Sequence, residues 1–71
     1  MNKQRRKEIK VAIEQIQDLV DSILSEEQTA FENMSEGLQA SENGVISEEA
    51  QENLEAAIVS LEEAISYLEE I

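Results

Sequence analysis

The sequence contains no cysteine and no histidine among its 71 residues. Disulfide staples and thiolate metal sites are therefore excluded. With histidine goes the commonest metal ligand and the usual proton shuttle of acid–base catalysis. Proline and tryptophan are also missing, glycine occurs twice, and Phe31 and Tyr67 are the sole aromatics. So few strand formers and chain breakers leave a helical composition. No apolar run approaches the ~18 residues of a membrane span. Met1 to Lys10 contain no apolar stretch of the signal-peptide kind. The expected location is the cytoplasm, without membrane contact.

Positive charge is nearly absent as well. The five basic residues, Lys3, Arg5, Arg6, Lys7 and Lys10, all fall in the first ten positions, while residues 11 to 71 hold sixteen of the seventeen carboxylates. The formal net charge is −12, carried by a polyanionic body with a cationic tip. Nucleic-acid binding depends on neutralising phosphates with Lys and Arg, so the body is expected to be repelled by DNA and RNA. Only the basic N-terminal tip is suited to touch phosphate.

What is present is helical periodicity. Ile9, Ile13, Ile16, Val20, Ile23, Glu27, Ala30 and Met34 recur at alternating four- and three-residue spacing, the heptad seam of a packed helix. The spacing predicts a first helix over 3–34. Ala12 and Leu19 flank the seam on one side, Leu24 and Phe31 on the other, so the apolar face is wider than one neighbour covers. Residues 35–46 contain both glycines, one in an Asn-Gly pair, and read as the turn. Ser47 followed by Glu48 and Glu49 reads as an N-cap with acids in the first turn, which starts a second helix over 47–71.

The second helix is a short repeat with a seam of Leu54, Ile58, Leu61, Ile65 and Leu68. One flank carries Ala50, Ala57 and Ala64 and lets a neighbour approach closely. The other carries Glu48, Glu55, Glu62 and Glu69 and suits water. In an antiparallel pairing the seams close with Ile13 facing Leu68, Ile16 facing Ile65, Val20 facing Leu61 and Ile23 facing Ile58. Lys3 to Lys10 then lie alongside Glu62, Glu63, Glu69 and Glu70, which offsets unfavourable helix dipoles at both termini. Glu27 falls opposite Leu54, read first as the place where the seam opens near the turn and second as a buried specificity device.

The fold class expected is all-α, one domain over residues 1–71: an antiparallel two-helix hairpin, coiled-coil-like, dimerising into a four-helix bundle. A core of this size rarely supplies more than roughly 3–5 kcal/mol, and oligomerisation is the staple that remains. Leu19, Leu24, Phe31, Ala50, Ala57 and Ala64 form the expected oligomer interface.

No catalytic, cofactor-binding or metal site is expected. Ser22, Ser25, Ser60 and Ser66 have no base placed to activate them. The carboxylates lack the His partners of a di-iron bundle and the spacing of a calcium loop. They read as solvated faces.

The segment Ala30-Phe-Glu-Asn-Met-Ser-Glu-Gly-Leu-Gln-Ala-Ser-Glu-Asn-Gly44, set between a basic-start helix and the Leu-Glu-Glu-Ala-Ile repeat, resembles small uncharacterised acidic helical proteins of phages and mobile elements in Gram-positive bacteria. Their pattern often has Pro after Asn-Met, where this chain has Ser35. The resemblance implies no activity. It implies a host-interacting or virion-associated role.

The leading expectation is a non-catalytic protein–protein interaction module that binds a host or phage protein, one with a basic groove. The expected contact surface is Asp18, Asp21, Glu26, Glu32, Glu48, Glu49, Glu52 and Glu55, where no cation lies nearby to offset the field. The alternative is a nucleic-acid-mimicking inhibitor of a host nuclease, polymerase or defence complex. A third reading, RNA binding by the basic tip, has a fold-level analogy in the helical-hairpin dimers of plasmid copy-number regulators.

Overall fold

A computed structural model describes all residues from Met1 to Ile71. It contains three helices, α1 (Lys3–Glu32), α2 (Glu36–Gln39) and α3 (Glu42–Glu69), and no strand. α1 and α3 pack against each other as a helical hairpin, a flat rod with extents of 54 × 15 × 11 Å. α1 begins where the Asn2 side chain accepts a 2.8 Å hydrogen bond from the Arg5 backbone N–H, one of the orphan donors of a helix start. The N-terminal bound expected at residue 3 is the observed one.

The turn differs from the expectation. Two serines bracket α2, a single helical turn: Ser35 caps its start by accepting from the Leu38 N–H at 3.3 Å, and Ser41 donates its hydroxyl back to the Leu38 carbonyl. Gln39 then donates its side-chain amide to the carbonyls of Phe31 and Met34, at 3.1 and 3.3 Å. It thereby gives the Met34 carbonyl a partner and adds a second donor to the Phe31 carbonyl, which already accepts the Met34 backbone N–H at 3.0 Å. α3 starts at Glu42 with Ser41 as its N-cap, so the cap expected at Ser47 and the turn expected through residue 46 are corrected. Asn43-Gly44 is not a turn pair, since no residue of the chain has positive φ. Gly44 is present for space: a Cβ there would fall on the Gln39 backbone.

The seam of α1 is also corrected. Its half-buried positions are Arg6, Lys10, Ile13, Gln17, Val20, Leu24, Glu27, Gln28 and Phe31, followed by Met34 just past the helix end. Ile13, Val20, Glu27 and Met34 belong to the expected seam. Ile9, Ile16, Ile23 and Ala30 belong to that expected seam too but lie outside the observed one, all four exposed, the isoleucines by 39%, 51% and 43%. The reason is that α1 carries two overlapping stripes of heptad spacing, and the hairpin turns Leu24 and Phe31 under α3 in preference to the isoleucines. Leu24 and Phe31 therefore serve the intrachain seam rather than standing outside it. On α3 the expected seam Leu54, Ile58, Leu61, Ile65 and Leu68 is half-buried, and the same spacing continues back through Gln51, Ser47 and Gly44.

Register shifts with the rotation. Lys10 meets Glu69 at 3.1 Å and Gln17 meets Glu62 at 3.4 Å. The pairing of Ile13 with Leu68 would have set these residues against Ile71 and Ala64, each two positions further on.

Candidate interaction faces

The hairpin buries only Gly44 and Ser47, and no hydrophobic side chain is buried. Its surfaces therefore carry the information about function. Glu62 and Glu69 belong to the glutamate flank of α3, and they are joined to Gln17 and Lys10, one flank of α1. The opposite flanks consequently share the other broad side: Ile9, Ile16 and Ile23 from α1, and Ala50, Ala57 and Ala64 from α3. Leu19, 60% exposed, lies in the next stripe outward on that side. One broad face is thus apolar and the other acidic.

Of the six residues expected at an oligomer interface, Leu19 and the three alanines lie on this apolar face, with Ala50 and Ala64 half-buried and Ala57 exposed. Leu24 and Phe31 lie in the seam beneath α3. Ile9, Ile16 and Ile23 are additions to the face. The signal for them was in the sequence, because with Ala12 and Leu19 they keep alternating three- and four-residue spacing of their own.

The eight carboxylates expected at a partner surface are all exposed, and they do not form one patch. Glu48 and Glu55 share the heptad row of Glu62 and Glu69, and Asp21 lies on the same side, one turn beyond Gln17. Asp18, Glu32, Glu49 and Glu52 occupy the outer sides of the helices. Glu26, seven residues from Leu19, lies at the edge of the apolar face. No group of three or more acidic residues converges closely enough to hold a metal ion.

Glu27 has a defined partner. Ser47, 3% exposed, donates its hydroxyl to Glu27 Oε1 at 2.6 Å, and Gln51 donates to the Ser47 hydroxyl at 3.4 Å. The seam does not open here, since its two buried residues lie at this level. The second reading of Glu27, a polar device within the seam, fits the geometry. Ser47→Ala is expected to cost about 1–3 kcal/mol by leaving the Glu27 carboxylate without its donor. Adding Glu27→Leu to that variant should restore most of the loss, because an apolar pair needs no partners. Chemical denaturation of the single and double variants checks this, and equal instability in both would show that the hydrogen bond is not what the site requires.

At the far end the ion pairing is sparser than expected. Lys10–Glu69 is the only salt bridge, and Glu62 is met by neutral Gln17. The hydrogen bond to Glu69, reinforced by its charge, raises the Lys10 pKa above the usual lysine value. This contribution is present below that usual value and is lost as pH rises through the raised one. It is a solvent-exposed pair and adds little at neutral pH.

No helix is long and apolar enough to cross a membrane. Comparison with protein families, characterised proteins and solved structures finds no match to this chain.

Proposed function

We propose that the chain is a non-catalytic helical interaction module, in which the apolar face joins two hairpins into a four-helix bundle and the acidic surface near the turn captures a partner protein. The observation that carries the capture reading is the charge layout. The sole salt bridge lies at the end away from the turn, whereas residues 11 to 61 hold twelve carboxylates and no cation. A cationic protein surface is steered toward such an uncompensated field. The resemblance to phage and mobile-element proteins makes a host protein the expected partner, encountered in the cytoplasm.

Replacing Glu48, Glu49, Glu52 and Glu55 together by Lys is expected to abolish capture of the partner from host lysate while circular dichroism stays helical. Removing residues 1–7 should leave capture largely intact, and rising salt should weaken it steeply. If the truncation abolishes capture and the charge reversal does not, the basic tip is the functional end. Competition by DNA for the captured protein would identify it as a nucleic-acid binder and the chain as a decoy.

A further inference from the structure

We infer that the apolar broad face is covered by a second copy of this chain seated antiparallel, so that the basic tip of each copy lies beside the acidic turn of the other. This rests on the self-association proposed above and adds its orientation. The α1 stripe runs Ile9, Ala12, Ile16, Leu19 and Ile23 at three- and four-residue spacing and resumes at Ala30, with Glu26 at the intervening position on its edge. On α3, Ile46, Ala50, Ala57, Ala64, Tyr67 and Ile71 keep the same spacing, with uncharged Asn53 and Ser60 at the two intervening positions. Ile46, Tyr67 and Ile71 are all more than half exposed. Apolar residues at heptad spacing are what one helix offers another, so the occupant is helical.

The two stripes share a centre. The α1 stripe, from Ile9 to Ala30, is centred between Leu19 and Val20. The Lys10–Glu69 and Gln17–Glu62 contacts set that level beside Val59 and Ser60 of α3. The α3 stripe, from Ile46 to Ile71, is centred between Ile58 and Val59, within one residue of the same height. A half-turn about an axis at that height maps each stripe onto itself. Ile16 then meets Ile23 of the second copy, and the bulky Tyr67 meets the small Ala50. Such self-complementarity is what a two-fold dimer requires of its interface.

Charge selects between the two ways of stacking the faces. A two-fold axis along the rod sets both acidic turns side by side. An axis across the rod sets each acidic turn beside Lys3, Arg5, Arg6 and Lys7 of the other copy, none of which forms a salt bridge within its own hairpin. Opposite charge favours the second arrangement and like charge disfavours the first. The face is also large enough: 54 by 15 Å corresponds to on the order of 800 Å² per partner, the size of a standard stable interface. The product is a rod with two equivalent ends, each an acidic turn beside one basic tip, where four cations offset only part of the charge of the twelve carboxylates of residues 11 to 61 and leave an acidic surplus for a partner.

Because the chain has no cysteine, Gln4→Cys and Glu36→Cys each give one spin-label site, both at exposed positions. The labelled proteins are examined by light scattering for mass and by pulsed electron spin resonance for the distance between copies. The antiparallel seat predicts a dimeric mass with labels about 45 Å apart at either position, from helical rise. A dimeric mass with labels about 20 Å apart, the lateral spacing of bundled helices plus the label arms, overturns the orientation and leaves self-association standing. A monomeric mass overturns both, and assigns the face to a different partner.

Discussion

Leu19→Glu is expected to convert the proposed dimer into monomers. Leu19 lies next to the centre of the α1 stripe and is 60% exposed in the single hairpin, so a single hairpin gives the substitution nothing to disturb. In the antiparallel dimer the two copies of this position meet near the two-fold axis. Two carboxylates would there be removed from water without partners. An uncompensated buried charge costs about 3–5 kcal/mol, which weakens dimerisation by a factor of at least about one hundred. Gln15→Glu adds the same charge on the outer side of α1 and should leave the dissociation constant almost unchanged. Sedimentation equilibrium of the two variants is the check. Equal behaviour would mean that net charge, rather than this face, governs association.

Gly44→Ala is expected to lower the melting temperature by about 10 °C. Within a helix the exchange normally gains about 1 kcal/mol, because alanine is the better helix former. Here that gain is outweighed. The added Cβ would fall on the Gln39 backbone, which cannot step aside without releasing the Gln39 side chain from the Phe31 and Met34 carbonyls. Forcing backbone apart in a packed site costs about 1–3 kcal/mol or more, and each kcal/mol moves the midpoint by about 4–8 °C in a domain of this size. Gly37 is the internal control. Nothing lies within 4 Å of a Cβ there, so Gly37→Ala should be neutral or slightly stabilising. If both variants melt alike, the close approach at Gly44 is not what the turn depends on.

These sites show what was legible in the sequence. The two long helices were, because heptad spacing of apolar residues over eight or more positions has no competing strand reading. The α3 seam from Leu54 to Leu68 was also legible, since its two flanks, alanine and glutamate, leave one choice of buried stripe. The α1 seam was not. Ile13, Val20, Glu27 and Met34 are common to two stripes, and periodicity alone does not say whether Ile9, Ile16 and Ile23 or Lys10, Gln17, Leu24 and Phe31 complete the one that α3 covers. The choice is made by tertiary contacts, the seating of Leu24 and Phe31 and the polar links from Lys10 and Gln17.

The turn departs from its sequence signal for a local reason. Asn-Gly marks tight turns when its residues adopt positive φ, and here both continue a helix whose cap lies earlier, at Ser41. Ser47 then looks like a cap by its type and its acidic neighbours. Its place in the heptad row of Leu54 and Leu61 gave it away as a seam residue, and Glu27 is the partner that this position needed.

The central claim is that the hairpin reaches its stable state by covering its apolar face with a second copy, since alone it buries no hydrophobic side chain. Thermal unfolding followed by circular dichroism from about 1 to 100 µM tests it most directly, because a dimer that unfolds to separate chains has a midpoint that depends on concentration. The expected result is a midpoint that rises by about 10 °C over this range, given an unfolding enthalpy of about 0.7 kcal/mol per residue for two chains. A sharp, cooperative transition whose midpoint stays fixed across the series would contradict the account.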